Sequence, residues 1–333
     1  MGCEIKYITY QLASKEVSNE DLANFFEKFS AEDIFKKVGI KKRFHTSEDV
    51  IGSDLAFQAA NLFFNDTKFP KEQIEFILFC TEGLDYIAPM TACLLQDRLK
   101  LNKNIGALDL PSGCAGFTNA LGMAKAIVES GQSSNVLLLF GDTPGLVSHP
   151  KDFALRSLFS DAGAAVLIEK SPKNHIGNFV YGVDGSGAKH LFVDKSCLRN
   201  PIDKKWLELN NDAGGMPRGQ MKMNGLEVFS FSIKEVPVLV NEILEKNKLA
   251  MKDINLFVFH QASKIILKSI QRKLQIPTNK MAYYLENNGN TVSVSIPLCL
   301  KEAQKEGRIK KGDKVLIAGF GIGFSWSGTV LYF

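Results

Sequence analysis

Three widely separated side chains in the 333-residue chain are candidates for nucleophilic chemistry: Cys114 as the nucleophile, with His260 and Asn290 as polar partners. Cys114 lies in Pro111-Ser-Gly-Cys-Ala-Gly-Phe117. Ile105 to Leu110 reads as a short buried strand, Pro111-Ser112-Gly113 as a turn, and Ala115 to Ser130 as a helix apolar on most sides and closed by Gly131. A cysteine at that corner meets the unpaired N–H groups and positive dipole end of a first helical turn, which favour a thiolate. Gly113 and Gly116 clear the approach to the sulfur. The competing reading is an inert buried thiol, the usual state of a lone cysteine. His260 ends the apolar strand Ile254 to Phe259, where side chains leave a sheet toward a ligand crevice, although a strand-terminal histidine is commonly structural. Asn290, in Asn287-Asn-Gly-Asn-Thr291, is by itself only a turn signal.

The elements that must position these residues alternate. Ile74 to Cys80 reads as a strand, Cys93 to Leu99 as a helix, then comes the Cys114 corner, and Asn135 to Phe140 is again a strand. The order predicts an α/β fold with helices over a mainly parallel sheet. The second half repeats the first: Ile74 aligns with Ile254 (254 − 74 = 180), Val136 with Val315 (315 − 136 = 179) and Cys114 with Asn290 (290 − 114 = 176). Three segments in one order with nearly equal offsets predict an internal duplication, with residues 1–170 holding the cysteine and 171–333 the histidine and asparagine. A pseudo-twofold axis between such halves brings the three side chains together. Ser18 and Ser30 read as N-caps of two short helices, Asp49 to Phe64 and Met223 to Asn247 as longer ones. The irregular stretch Gly182 to Met221 is expected at the mouth of the substrate site.

Composition is that of an ordinary globular protein, 45% hydrophobic and 23% charged, and the net charge of +4 arises from 40 basic and 36 acidic residues. That balance excludes a general nucleic-acid binder. The six cysteines (Cys3, Cys80, Cys93, Cys114, Cys197, Cys299) form no C-x-x-C pair, and no histidine stands at metal-ligand spacing, so reduced thiols, no metal and no cofactor are expected. No apolar run approaches a membrane span, and the N-terminus lacks a signal run, which predicts a cytoplasmic protein.

With Leu158-Phe-Ser-Asp-Ala-Gly-Ala164, Met223-Asn-Gly-Leu-Glu-Val-Phe229, Phe259-His-Gln-Ala262, Gly289-Asn-Thr291 and Gly319-Phe-Gly-Ile-Gly-Phe-Ser-Trp326, the chain resembles the thiolase-like condensing enzymes, most closely the β-ketoacyl-acyl-carrier-protein (ACP) synthase III family. The resemblance implies a duplicated five-layer αβαβα sandwich and a homodimer. It also implies acyl transfer from acyl-CoA or acyl-ACP to Cys114, followed by decarboxylative condensation with malonyl-ACP. His260 and Asn290 would donate to the enolate oxygen, and the backbone N–H groups of Cys114 and Ile322 would hold the acyl oxyanion. The asparagine separates the pattern from elongating synthases, with two histidines, and from hydroxymethylglutaryl-CoA synthase, with a glutamate. Two other outcomes are transfer of the same acyl group to an alcohol, amine or C-nucleophile without decarboxylation, and a non-catalytic partner subunit. Where initiating members grip CoA with Trp and Arg, this chain has Asp33 and Lys37, which leaves a phosphate contact from Lys37 and favours a carrier-bound donor. Lys264, Lys268, Arg272 and Lys273 largely share a helix face, which in this family docks the acidic carrier. Ala88 and Met90, in a loop resembling the one that enters the partner's acyl pocket, and Phe117 are the expected pocket residues, with Ala88 leaving room for a longer or branched acyl chain.

Overall fold

The computed structural model describes residues 2–209 and 219–333. Two sheets form its frame. The first contains β1 (Gly2–Leu12), β2 (Phe76–Thr81), β3 (Gly106–Pro111), β4 (Asn135–Asp142) and β5 (Ala162–Ser171) in the order β1-β5-β4-β2-β3. The second contains β6 (Val180–Val183), β7 (Leu256–Phe259), β8 (Lys314–Gly321) and β9 (Ser325–Tyr332) in the order β6-β9-β8-β7. In the first, β4, β2 and β3 run parallel while β1, β5 and β4 pair antiparallel; in the second, β8 and β7 run parallel and the other pairs are antiparallel, so both sheets are mixed rather than mainly parallel as expected. Where β3 adds to the first sheet, Met281 makes a parallel bridge to Phe257 in the second.

Alternation along the strands distributes side chains between layers. In β4, Val136, Leu138 and Phe140 enter the space between the sheets, whereas Leu137 and Leu139 face the outer helices α1 (Gly52–Thr67) and α2 (Thr91–Leu99). In β7, Leu256 and Val258 point inward, and Phe257 and Phe259 pack under α4 (Gly225–Lys246) and α5 (Lys264–Lys273). The inner layer is α3 (Gly116–Glu129) and α6 (Ser295–Lys305), whose apolar residues join both sheets in one core. The result is the five-layer αβαβα sandwich. A strand buried on both faces must be apolar along its middle, and all eight residues of β4 are buried, with Asn135 and Asp142 as its polar ends.

Sequence boundaries were close: α3 starts at Gly116 and α1 runs three residues past Phe64, to Thr67. The two N-caps are real, because Ser18 and Ser30 each accept from the backbone N–H three residues on and close capping boxes with Asp21 and Asp33. The stretch expected to be irregular is more ordered than its composition suggested. Leu191–Asp194 and Gln220–Met223 pair as antiparallel strands, with a short helix at Lys204–Leu209, while part of the stretch, residues 210–218, lies outside the described residues.

The inter-sheet core sets a stability test. Phe117, fully buried with its ring 5.5 Å from Phe140, should cost about 3–5 kcal/mol when truncated to alanine. Phe25, exposed, should cost less than about 0.5 kcal/mol. Urea unfolding of F117A and F25A checks the contrast.

Candidate active site

Cys114 stands between the end of β3 at Pro111 and the start of α3, only 5% exposed. The turn after β8 presses against it: a Cβ on Gly321 would sit 2.5 Å from Cys114 Cβ and 2.8 Å from Sγ, so only glycine permits the approach. The N–H groups of Ile322 and of Cys114 itself hydrogen bond to the sulfur. These are the two backbone donors named from the sequence.

His260 follows β7 directly, and its N–H donates to the Ala318 carbonyl at 2.9 Å, which continues the sheet by one residue. Its ring meets Phe320 edge-on, and Nδ1 lies 2.8 Å from Ser295 Oγ. The single Ser295 hydroxyl proton is shared between Nδ1 and the Val292 carbonyl, 2.8 Å away, and when it points to Nδ1 the ring carries its proton on Nε2. Burial pushes the His260 pKa down to about 3, so the imidazole is neutral at physiological pH.

Asn290 is fixed through its backbone, giving its N–H to Leu158 at 2.9 Å and accepting from Ser160 at 2.9 Å. The carboxamide is oriented too: Oδ1 accepts from Val292 N–H at 3.0 Å and Nδ2 donates to the Ala262 carbonyl at 3.2 Å, leaving one Nδ2 hydrogen free. Val292 holds a φ of 51°, a costly conformation for a β-branched residue. Its N–H binds Asn290 and its carbonyl binds Ser295, so this strained residue ties the asparagine to the serine that orients His260. Cys114, His260 and Asn290 all line one cavity of about 130 Å³, whose remaining walls include Leu158, Phe159, Leu191, Met223, Ile266 and Phe320. Leu191 brings the Gly182 to Met221 region to the cavity wall, and Met223 joins it from two residues beyond that stretch.

The electrostatic expectation for the thiol requires correction. Burial and the nearby Glu82 carboxyl raise the pKa of Cys114 well above its ordinary value, and the two N–H groups only partly oppose them. A helix N-terminus lowers a thiol pKa where solvent still reaches the sulfur; here desolvation is the larger effect.

Other expected site residues scatter. Phe117 does not line the cavity: it is the second residue of α3, and its ring turns into the core against Phe140. Ala88 and Met90 are exposed on the loop before α2 and are absent from the cavity of their own subunit. Lys37 is exposed, its Nζ 4.8 Å from the Phe29 ring and 5.4 Å from that of Phe153. On α5, Lys268 and Arg272 line an open groove, while Lys264 lays its stem on Gly39 and its ammonium 4.9 Å from the Phe35 ring. Lys273 departs from that face, because its Nζ donates to the Ile233 carbonyl of α4 at 2.9 Å. Sequence reasoning passed over Glu82 and Ser295. A carboxylate directly after the apolar strand Phe76–Thr81 was the available signal for the first; the second had none. Among the described residues, no group of three His, Cys, Asp or Glu side chains could hold a metal.

A cysteine at a strand-to-helix corner on the inner helix of this five-layer duplicated sandwich fits a thiolase-like fold. Family profiles described as 3-oxoacyl-[acyl-carrier-protein (ACP)] synthase III and its C-terminal region match residues 108–185 and 244–333. The chain is 33% identical to a β-ketoacyl-[acyl-carrier-protein] synthase III of Clostridium perfringens over 95% of this chain and 94% of that one. It is also 33% identical to the one from Campylobacter jejuni, covering 100% and 98%. A crystal structure of a 3-oxoacyl-(acyl-carrier-protein) synthase III superposes with a TM-score of 0.93 at 34% identity, covering both chains completely. The one from Thermus thermophilus gives 0.88 at 33% identity, covering 100% of this chain and 99% of that one. The chain therefore belongs to the β-ketoacyl-ACP synthase III family and is an acyltransferase of the condensing type.

The buried imidazole has a stability signature. A histidine held neutral must take up a proton on unfolding in acid, so its contribution is full above about pH 6.5 and is lost as pH falls toward 3. Glu82, raised to about 8, acts with the opposite sign: its contribution is full below about pH 4.5 and lost as pH rises toward 8. The His260→Gln protein should therefore gain stability relative to wild type between pH 7 and pH 5, measured as the difference in urea midpoints.

Proposed function

We propose that the chain condenses an acyl primer with malonyl-ACP through an acyl-Cys114 intermediate. The observation that carries this reading is the convergence of Cys114, His260 and Asn290 on one apolar cavity. The Cys114 sulfur attacks the primer thioester, the bond to the donor thiol breaks, and the acyl group stays on the enzyme. The malonyl carboxylate then leaves as CO2, and its electron pair moves onto the thioester oxygen. A neutral imidazole carrying its proton on Nε2 and the free Nδ2 hydrogen of Asn290 stabilise that enolate by hydrogen bonds, which are stronger in a site without bulk water. The enolate carbon attacks acyl-Cys114, whose oxygen is received by the N–H groups of Cys114 and Ile322, and the sulfur is released. In this reading residues 1–170 supply the nucleophile and 171–333 the two enolate donors.

Carrier docking falls to Lys264, Lys268 and Arg272 on α5, with Lys273 excluded by its bond to Ile233. Lys37 is left for the phosphate of a CoA donor. A second copy is supported by Leu84, Tyr86, Ile87 and Met90, exposed together on one loop, and by Leu108 exposed on the edge strand β3. With Ala88 in that loop, the partner's acyl pocket gains room for a longer or branched chain. The six free cysteines fit a reducing cytoplasm, and no helix among the described residues is long and apolar enough to cross a membrane.

His260→Ala and Asn290→Ala should each slow malonyl-ACP decarboxylation by about 10²–10³-fold while Cys114 still accepts an acyl group. Cys114→Ala should accept none. Acyl loading and CO2 release measured on the same samples separate the steps; loss of loading in the His260 and Asn290 variants contradicts the division of roles. Lys268→Glu with Arg272→Glu should raise KM for malonyl-ACP and leave kcat nearly unchanged. Ile87→Asp should convert a dimer to a monomer in sedimentation.

A further inference from the structure

Acyl transfer needs a place for the thiol proton of Cys114, and the groups around the sulfur differ in their ability to hold one. His260 is a weak acceptor, with its pKa near 3 and Nδ1 held by Ser295. Asp142, at the end of β4, is already saturated: it accepts from Glu82 N–H at 2.9 Å, Ser293 N–H at 3.2 Å, the Thr81 hydroxyl at 3.3 Å and the Ser293 hydroxyl. Glu82 is placed differently. It directly follows β2, and its carboxyl lies over the backbone beside the nucleophile: a Cβ on Gly113 would stand 2.6 Å from Glu82 Oε2 and 3.0 Å from Cγ2 of Ile322. Its Oε1 is buried and has no hydrogen-bond partner among the described residues. Burial, with the charges of Asp142 and Asp161 that face it, lifts its pKa to about 8, and the thiols of Cys80 and Cys114 face it too. It therefore holds a proton far more firmly than His260 does and releases it within reach of neutral pH.

We propose that the Glu82 carboxyl, packed on Gly113 with one oxygen unpartnered, is the group through which the proton of Cys114 leaves and returns. The inference rests on the acyl-transfer reading above and deepens it. As carboxylate, Glu82 accepts the thiol proton while the Cys114 sulfur–carbon bond forms and the carbon–sulfur bond to the donor breaks. The proton then passes to the departing thiolate, which leaves as a free thiol. After condensation the bond from carbon to Cys114 breaks, and the thiolate takes one proton that Glu82 draws from solvent. That proton balances the loss of CO2 from the malonyl carboxylate.

The test is single-turnover acylation of Cys114 by butyryl-CoA and by butyryl-loaded carrier protein, read as the mass of the Cys114 peptide between about pH 6 and 10. The wild-type rate should rise tenfold per pH unit and level off near pH 8. Glu82→Gln should be about 10²–10⁴-fold slower at pH 7 and lack that inflection, with Glu82→Asp restoring part of both. A merely structural role would lower the rate without removing the inflection. A Glu82→Gln profile that coincides with wild type overturns the proposal. So does a wild-type profile with no inflection near pH 8, which needs no variant to fold. If neither donor acylates wild-type Cys114, the reading of the function fails and this inference with it.

Discussion

Sealing one helix between two sheets is the constraint on which the rest of this molecule depends. α3 touches both sheets, and its apolar residues share one core with the inward faces of β4, β7 and β8. A helix enclosed in this way cannot tilt or slide without opening voids on both sides. Its N-terminus, and therefore Cys114, is fixed relative to both repeats. The second repeat then delivers its own residues to the same place: the end of β7 gives His260, the turn after β8 gives the Ile322 N–H, and the loop before α6 gives Asn290.

That enclosure has electrostatic consequences of both signs. It removes water from the sulfur and keeps Cys114 protonated despite the helix N-terminus and two N–H donors. It also keeps His260 neutral, and a neutral imidazole donates a hydrogen bond without first taking up a proton. Hydrogen bonds strengthen in a low dielectric, whereas taking the proton from a buried thiol calls for a nearby base. The strained Val292 links His260 to Asn290, because its N–H orients Asn290 and its carbonyl competes with His260 for the Ser295 hydroxyl.

Much of the frame was legible in the sequence because it rests on strong periodic signals. The uncharged run from Ala115 to Gly122 and the all-apolar core of β4 form buried elements, and nearly constant offsets between segments survive loop variation. The sulfur's environment was not legible in this way: a local reading registers the helix dipole but not the desolvation imposed by a second sheet far away in sequence. Phe117 illustrates the same limit, since one helical residue more or less turns a side chain by about 100° and separates the site from the core. Lys273 follows Arg272 directly and so points to α4 rather than along the row of Lys264, Lys268 and Arg272. Glu82 was passed over, and only the close approach of Gly113, with Ile322 on its other side, places it beside Cys114.

The central claim is that a sulfur from one repeat and two hydrogen-bond donors from the other act on one acyl group. Its most direct measurement follows that group by peptide-resolved mass spectrometry after loading from an acyl thioester, then adds malonyl-ACP labelled in its free carboxyl. The account predicts the acyl mass on the Cys114 peptide alone, discharged with one labelled CO2 for each acyl group lost. Acyl mass on the exposed Cys93 or Cys197 instead, or discharge without labelled CO2, would contradict it.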